Sequence, residues 1–407
     1  MSNFNIQLTD QIYWVGAIDW SVRQFHGYFT EDGTSYNSYL LMDEQPTLID
    51  TVRETFSTEY IERISLVCSL DKIKNIVIQH AEPDHASALP YLLKKTPNAT
   101  VFCNKKCQEF LLAFQFIDQD TKITIVDNEY RLNIGKRTIS FKQTPLLHWP
   151  ESMCSFIKEE GILFSQDIFG QHLASTERFC TDLIQEKVLL RTKEYLCNIM
   201  GHLQVQLKTA LALVDSNDFQ MILPAHGLAF NNTEIIQKVV KIYRDFHQNK
   251  HLQKKIVILY DSMYGSTAQM TQVLAESIKQ ENILVIPLDL KVNTFTKACL
   301  NCYDASGIAI GSPTLNHTMM PNVEACLSYL RGLLVFKNKP TIVFGSYGWS
   351  SNAIKDITNY LTGCDAKILG SFQHILCLPE DKLIDVQKSG KQLADATLEY
   401  YNVNVNK

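Results

Sequence analysis

Short apolar runs alternate with polar turns through the first part of the chain, up to about residue 248. Runs of this length, rich in β-branched and aromatic residues, are typical of strands. Helical patterns at 60–70 and 87–96 lie between them. Two sheets flanked by helices would accommodate this order. The strand-like runs are SYNSYLLM, PTLID, NIVIQH, TVFCN, KITIVD, ISFKQTP, CSFIKEEGILFSQ and FQMILPAHG.

The pattern changes to a regular strand–loop–helix alternation after a polar, basic stretch at 243–255. The apolar runs KIVILY, ILVIPLDL, GIAIGSP, PTIVFGSYG and AKILGSF alternate with helical segments from about Ala268, at 321–332, at NAIKDITNYL and near 381–400. Such an alternation predicts a doubly wound parallel sheet. We therefore expect an α/β protein of two domains, residues 1–248 and 249–407.

Neither the charge nor the hydropathy of the chain favours a nucleic-acid-binding, membrane or secreted protein. The 407 residues carry a net charge of −5, which gives no electrostatic reason to expect nucleic acid or an anionic membrane as partner. No apolar run approaches the roughly 20 residues needed to span a bilayer, and the N-terminus does not resemble a secretory signal. We expect a cytoplasmic protein.

The cysteines support a reducing compartment. Their number, 11, is odd and they show no spaced framework, which is typical of free thiols. The pairs Cys103/Cys107 and Cys299/Cys302 could each begin a metal site, but neither has a second pair at zinc spacing. Packing is the alternative role for both pairs.

Metal-ligand residue types crowd into one short segment, HAEPDH, directly after the apolar run NIVIQ. Alternate residues of an extended segment point the same way, so His80, Glu82 and Asp84 can converge while His85 reaches in from a helix start. Asp84 as a helix cap is the alternative. Three further residues of metal-ligating types each follow an apolar run, and residues in such positions are expected to meet at one edge of a sheet. They are His148, Asp167 and His226.

This ordered set resembles the metallo-β-lactamase superfamily over roughly residues 5–245, which implies an αββα sandwich. In the superfamily motif, His-x-His-x-Asp-His is followed by His, Asp and His. The chain departs from it at Glu82, which stands where the hydrolases carry their second histidine. A carboxylate-enriched N/O set without thiolate shifts the preference from zinc toward iron. The resemblance implies one metal on His80, Glu82 and His148, a second on Asp84, His85 and His226, and Asp167 as the bridge.

A second candidate site follows the strand that ends at Tyr260. The loop Ser-Met-Tyr-Gly-Ser-Thr, residues 262–267, opens a helix, and its backbone N–H groups and hydroxyls suit a phosphate monoester. No lysine follows the glycine, so this is not a Walker-type nucleotide loop. A hydroxyl-rich helix cap is the alternative.

Polar loops at 311–318 and 345–353 also lie at carboxyl ends of predicted parallel strands, where such sheets bind ligands. Tyr347 and Trp349 could cover an isoalloxazine ring; exposed loop aromatics are the alternative. This half resembles a flavodoxin, which implies FMN, although Ser350-Ser351 replace the usual Gly-Gly after the tryptophan. The expected FMN contacts are Ser262, Met263, Tyr264, Gly265, Ser266, Thr267, Ser312, Pro313, Thr314, Leu315, Asn316, Ser346, Tyr347, Gly348 and Trp349.

The two halves together resemble the flavodiiron proteins, in the minimal two-domain form without a rubredoxin or flavin reductase extension. The resemblance implies FMN and two non-haem irons, and reduction of O2 to water or of NO to N2O, for detoxification. FMN would relay electrons from an external donor such as rubredoxin or an NAD(P)H-dependent reductase. It also implies a head-to-tail homodimer or a dimer of such dimers.

The resemblance further suggests residues beyond the ligands. Arg23 and His26 lie in a family-like segment and are expected to support the metal site, and Trp149 and Phe169 are expected to line its pocket or to belong to the core. Two other functions stay open. One is a binuclear zinc hydrolase with a flavodoxin module, and the other an FMN-binding electron carrier with a decayed metal domain.

Overall fold

The structure is a computed structural model that describes residues 7–279 and 283–405, and these residues form two compact units. Residues 1–6, on which the expected absence of a secretory signal partly depends, lie outside the described range. The first unit takes in the residues up to Phe25, Thr30–Leu196 and Leu203–Arg244, and the second takes in His26–Phe29, Cys197–His202 and the residues from Asp245 onward.

The strands coincide with the apolar runs. Each run predicted from the sequence contains a strand, and further short strands lie near the N-terminus. In chain order the strands are β1 (Ile12–Trp14), β2 (Ala17–Asp19), β3 (Gln24–Phe25), β4 (Tyr28–Phe29), β5 (Thr34–Tyr36), β6 (Tyr39–Leu41), β7 (Thr47–Ile49), β8 (Asn75–Val77), β9 (Thr100–Cys103), β10 (Ile123–Ile125), β11 (Arg131–Asn133), β12 (Thr138–Gln143), β13 (Met153–Ile157), β14 (Ile162–Gln166), β15 (Met221–Pro224), β16 (Gln253–Tyr260), β17 (Leu284–Asp289), β18 (Ala305–Gly311), β19 (Pro340–Tyr347) and β20 (Lys367–Ile375).

Two of the helices begin at a residue whose side chain caps the first turn. Asn104 accepts a hydrogen bond from the backbone N–H of Cys107 (2.8 Å), and Thr294 accepts one from that of Lys297 (3.2 Å). The helices are α1 (Ser57–Ser65), α2 (Pro83–Ala86), α3 (Leu89–Leu93), α4 (Lys105–Ala113), α5 (Gln185–Ile199), α6 (Leu207–Asp215), α7 (Thr233–His247), α8 (Ser266–Lys279), α9 (Phe295–Tyr303), α10 (Pro321–Gly332), α11 (Asn352–Thr362) and α12 (Leu383–Val405).

Two mixed sheets build the first unit. One has the order β1-β6-β7-β8-β9-β10 and the other β11-β12-β13-β14-β15. Side chains of both sheets, such as Val77 and Phe164, share one apolar cluster between the sheets. Ile76, which points to the opposite face of β8, joins a cluster with Ile64 of α1 and Leu111 of α4. Strand β8 is therefore buried on both of its faces.

A single five-stranded parallel sheet builds the second unit, in the order β17-β16-β18-β19-β20. Val257 and Leu259 of β16 belong to an apolar cluster on one face, and Ile256 and Ile258 to a cluster on the other. This order is that of a flavodoxin-like doubly wound sheet, whose ligand site lies at the carboxyl ends of the strands. The predicted α/β class is confirmed.

Among the helices after residue 249, the sequence pattern did not predict α9, whose nine residues follow the Thr294 cap. Within residues 7–279 and 283–405, no helix has the combination of length and apolar character needed to cross a bilayer.

Candidate metal centre and cofactor cavity

The clustered ligand residues are placed by the end of β8 and the start of α2. His80 follows the strand, and Glu82 is the N-cap of α2 with an extended backbone (ψ 140°). Pro83 occupies the first helical turn, where its fixed φ favours a helix start. Asp84 and His85 therefore project from the first turn of α2, beside the strand end.

Three later segments bring the other ligand residues to the same edge. His148 lies in the turn between β12 and β13, and Asp167 directly follows β14. His226 lies two residues beyond the end of β15, which pairs in parallel with β14. Because neighbouring parallel strands end at the same edge of a sheet, Asp167 and His226 lie close together.

The first group of ligand atoms comprises His80, Glu82, His148 and Asp167. Glu82 Oε2 lies 2.9 Å from His148 Nε2 and 3.1 Å from His80 Nε2. Asp167 Oδ2 lies 3.1 Å from His148 Nε2 and 3.7 Å from His80 Nε2. These four side chains converge on one point.

The second group comprises Asp84, His85 and His226, and all three are buried. His85 Nε2 lies 3.4 Å from Asp84 Oδ1, and His226 Nε2 lies 3.2 Å from Asp84 Oδ2. The other oxygen of Asp167, Oδ1, lies 3.4 Å from both His85 Nε2 and His226 Nε2. Asp167 thus presents one oxygen to each group.

The residues fit a pair of cations. Ligand atoms at right angles and about 2.1 Å from a shared cation are roughly 3.0 Å apart, which is close to the separations within both groups. Asp84 Oδ1 and Oδ2, His85 Nε2 and Asp167 Oδ1 are buried without a hydrogen-bond partner among the described residues. Buried polar atoms are normally satisfied, so these atoms point to missing positive partners.

Electrostatics in the metal-free cluster are governed by its carboxylates. Burial alone would lower the pKa of His85, but the charges of Asp84 and Asp167 outweigh it and raise that pKa to about 10. Burial likewise opposes ionisation of Asp167, but the charge of His85 and the hydrogen bond with His148 hold the pKa of Asp167 well below its usual range. In the absence of metal, protons therefore take the place of the cations.

His80 and His148 behave in the same way. Burial lowers the pKa of His80, but hydrogen bonds with Glu151 and Glu82 raise it to about 10. For His148, hydrogen bonds with Asp167 and Glu82 outweigh burial and raise the pKa to about 9. A metal ion must displace these protons before it can bind the ring nitrogens.

Groups outside the ligand set orient the histidines. Glu151 Oε1 lies 2.7 Å from His80 Nδ1 and accepts from the backbone N–H of Ala81 at 3.1 Å. His226 Nδ1 lies 2.7 Å from the carbonyl oxygen of Ser35. When both Nδ1 atoms donate, both Nε2 atoms face the centre as acceptors.

Sequence reasoning missed Glu151, and also Tyr195, whose buried hydroxyl contacts Asp167. Burial and the charges of Asp167 and Glu82 raise the pKa of Tyr195 well above its usual value. Glu151 had a usable signal, because a carboxylate three residues after a ligand histidine is suited to support the site. Tyr195 lies in the C-terminal half of α5, where nothing in the local pattern distinguishes it from a core residue.

Of the expected supporting residues, Trp149 packs against a ligand residue, with its ring 5.0 Å from that of His80 and nearly perpendicular to it. Phe169 is fully buried and packs edge-to-face on Tyr243 at 4.7 Å. Arg23 is exposed and donates to the carbonyl oxygens of Trp20 and Val22. His26 is exposed and belongs to the second unit, so its support of the metal site stays a prediction.

The second unit contains a cavity of about 610 Å³ at the carboxyl ends of its strands. Large apolar side chains stand exposed around it, including Trp349 (91% exposed) and Tyr264 (96% exposed). A cavity of this volume, with apolar walls and a few polar groups, is suited to a planar aromatic ligand. The expected FMN residues that line it are Met263, Tyr264, Ser266, Pro313, Thr314, Leu315, Asn316, Ser346, Tyr347, Gly348 and Trp349.

Four expected contacts are not part of this lining. Ser262 Oγ accepts from the backbone N–H of Ala268 (3.3 Å), and Thr267 Oγ1 lies 3.1 Å from Ser346 Oγ. Ser312 Oγ donates to the carbonyl oxygen of Pro313 (2.8 Å), and Gly265 takes a φ of +93°. The three hydroxyl groups support the loops and Gly265 is exposed, and the contact of all four residues with FMN stays a prediction.

Four lining residues were not predicted: His317, Ser350, Leu376 and Cys377. The first two belong to loops that the sequence had already marked. The last two follow β20, whose carboxyl end lies beside that of β19. The rule that placed the other loops at this edge would also have indicated the loop after β20.

Relatives of this chain cover both of its units. A profile of the ODP family beta lactamase matches residues 34–227. The rubredoxin-oxygen oxidoreductase of Megalodesulfovibrio gigas is 37% identical over 88% of this chain and 89% of its own length. The nitric oxide reductase of Moorella thermoacetica is 32% identical over 89% of this chain and 91% of its own. The crystal structure of the flavodiiron protein from Giardia intestinalis superposes with a TM-score of 0.94 at 39% identity, covering 98% of both chains.

Proposed function

The chain belongs to the flavodiiron protein family, and we propose on this basis that it is an oxidoreductase that reduces O2 to water, NO to N2O, or both. One observation carries the proposal. Two groups of buried imidazoles and carboxylates share Asp167, whose two oxygens face one group each. Glu82, in place of a histidine, makes the shared set rich in carboxylates and favours iron over zinc.

We propose that His80, Glu82 and His148 hold one iron, that Asp84, His85 and His226 hold the other, and that Asp167 bridges them. FMN would occupy the cavity of the second unit, with the loop 262–267 at its phosphate and Tyr347 and Trp349 at its ring. When bound, the irons and the flavin supply the one- and two-electron chemistry that amino acid side chains lack.

The residues of the chain would exclude water from the metals and orient the ligands. Six of the seven ligand residues are buried and His148 is partly buried, so the metals would lie in a pocket from which bulk water is largely excluded. Glu151 holds the proton on His80 Nδ1 and leaves Nε2 free to face the centre. The T-shaped contact of Trp149 with His80 limits rotation of that ring and adds an apolar wall, suited to a small uncharged gas.

We propose that the two predicted domains have separate roles, with the metal centre in 1–248 and the flavin site in 249–407. We further propose an external electron donor, either rubredoxin or an NAD(P)H-dependent reductase. The name of the Megalodesulfovibrio gigas relative, a rubredoxin-oxygen oxidoreductase, supports the first of these. A homodimer and a cytoplasmic location complete the proposal, supported by the family resemblance and by free cysteines.

The test combines metal analysis with gas electrodes. Protein produced with ample iron should contain about two irons and one FMN per chain. After anaerobic reduction by a candidate donor it should consume O2, NO or both. Glu82→Ala should lower the iron content to about one per chain and abolish gas reduction but keep the flavin spectrum. Wild-type rates in a correctly folded Glu82→Ala variant would contradict the ligand assignment.

The rival function, a binuclear zinc hydrolase with a flavodoxin module, predicts different results. It requires about two zinc ions per chain and hydrolysis of a β-lactam or thioester, with no donor-dependent gas consumption. Metal content after growth with iron and zinc together separates the two, because the carboxylate-rich set should select iron.

A further inference from the structure

The loop after β18 reverses direction in an unusual tight turn. The backbone N–H of Leu315 donates to the carbonyl oxygen of Thr318, and the reverse bond has the same length of 2.9 Å. The two residues between them have positive φ, 49° for Asn316 and 63° for His317. Two positive φ values in a two-residue turn define type I′, which strongly favours Asn-Gly.

Asn316 fits this turn, but His317 stands where glycine would be unstrained. Histidine is among the non-glycine residues that adopt positive φ more often than most, at some cost relative to glycine. At this position its side chain also makes a contact that glycine could not make.

The imidazole of His317 reaches the other loop of the cavity. Its Nδ1 lies 3.1 Å from the hydroxyl oxygen of Ser350. Both residues line the cavity, one in the loop after β18 and one in the loop after β19. We call this hydrogen-bonded pair the His317–Ser350 clasp. Ser350 is also one of the two serines that replace the usual glycines after the tryptophan.

The clasp adds to other ties between the two loops. The backbone N–H of Thr314 donates to the carbonyl oxygen of Ser346 (2.9 Å), close to the strand ends. Thr318 Oγ1 donates to Asp356 Oδ2 at 2.8 Å and anchors the turn to α11. Neither of these bonds involves residues 347–351. The clasp does, because Ser350 lies next to Trp349.

We propose that the His317–Ser350 clasp positions the two loops and the exposed Trp349 for the isoalloxazine ring of FMN, and so sets how tightly the cavity holds that ring. This inference rests on the proposed function of the cavity. A wall that is already ordered loses less conformational freedom when the ligand binds, and affinity rises accordingly. His317 and Ser350 are thus positioning residues.

His317→Gly separates this role from a structural one. Glycine relaxes the turn while it removes the clasp, so the FMN-free variant should unfold at a temperature no lower than wild type. Its dissociation constant for FMN, measured by quenching of flavin fluorescence, should rise roughly 3- to 10-fold, the loss of about one hydrogen bond. Wild-type affinity in this variant would overturn the proposal.

A double-mutant cycle tests the pairing itself. Ser350→Ala should weaken FMN binding as much as His317→Gly, and the double variant should be no worse than either single one. Ser350→Thr keeps the hydroxyl and should restore affinity. Ser351→Ala is the matched control, since the side chain of Ser351 makes no capping hydrogen bond to α11. Fully additive losses would contradict a clasp.

The visible absorption bands of bound FMN give a second readout, because a displaced Trp349 changes the environment of the ring. Bands identical to wild type in both single variants would argue against positioning. If the wild-type protein itself binds no FMN, the proposed function of the cavity fails and the clasp fails with it. FMN binding that is unaffected by the variants overturns the clasp alone.

Discussion

The metal centre and the flavin cavity are built by opposite means. The centre is made of side chains, with seven imidazole or carboxylate groups, six of them buried, whose ligand atoms lie within 4.8 Å of one another in each group. The cavity is made of loops, with backbone turns and exposed aromatic side chains around a space of about 610 Å³. A metal ion requires particular ligand atoms, whereas a planar ring such as that of a flavin requires a cavity of matching shape. Substitutions should therefore act very differently on the two.

The largest expected effect is at Asp167, the residue that both ligand groups share. Asp167→Ala removes an oxygen from each group, so iron should fall from about two per chain to nearly none and gas reduction should vanish. Glu82→Ala affects one group and should leave close to one iron. Iron analysis by mass spectrometry distinguishes these results, with exposed Asp120→Ala as the matched control.

Equal iron contents in the Asp167→Ala and Glu82→Ala variants would contradict the bridging role. FMN content should remain at the wild-type level in both, since neither residue belongs to the second unit. A parallel loss of FMN would show that the two sites are not independent, and the comparison between them would then fail.

The next effect in size is at Glu151. Glu151→Gln replaces the acceptor of the His80 Nδ1 proton with a neutral amide, and second-sphere changes of this kind typically cost about 10- to 100-fold in metal affinity. Competition with a chelator under anaerobic conditions measures the loss. The control is Glu109→Gln, because Glu109 is exposed and pairs only with Lys106 among the ion pairs of the described residues. An affinity within about twofold of wild type would mean that packing alone orients His80.

Substitutions in the cavity should have smaller effects, because many residues would contact FMN at the same time. Trp349→Ala removes one aromatic face and should weaken FMN binding roughly tenfold, as expected for one stacking contact. Fluorescence titration measures this, and Trp20→Ala, another exposed tryptophan, is the control. Iron content should not change. Complete loss of FMN would mean that the cavity depends on one residue, as the metal centre depends on Asp167.

The same contrast explains how much could be predicted from the sequence. The structure brings together all seven expected metal ligands, because ligand chemistry restricts residue type and each candidate followed an apolar run. The loops of the cavity could be located from the sequence, but the individual residues that line it could not. Ser262 and Thr267 stand behind the wall, and His317 lines it. Which residue faces a ligand depends on the turn type, and a positive φ at His317 cannot be deduced from a sequence that lacks the usual glycine.

The smallest expected effect is on stability in the metal-free protein. Its carboxylates raise the pKa of His80 and His85 to about 10 and that of His148 to about 9, from an ordinary value of 6.5. Protons bound more tightly in the folded state stabilise it. This contribution is complete below pH 6.5 and is lost as pH rises through 9 to 10.

Thermal unfolding between pH 6.5 and 10 tests this, with metal-free and iron-loaded protein compared in the same buffers. The metal-free form should lose several degrees more than the iron-loaded form, because iron holds the same nitrogens without protons. Adding Fe(II) to metal-free protein at neutral pH should also release protons, visible with a dye in weak buffer, whereas adding FMN should release few. Parallel unfolding curves for the two forms would mean that the carboxylates are balanced by something other than these histidines, and the contrast between a charged centre and a shaped cavity would lose its electrostatic basis.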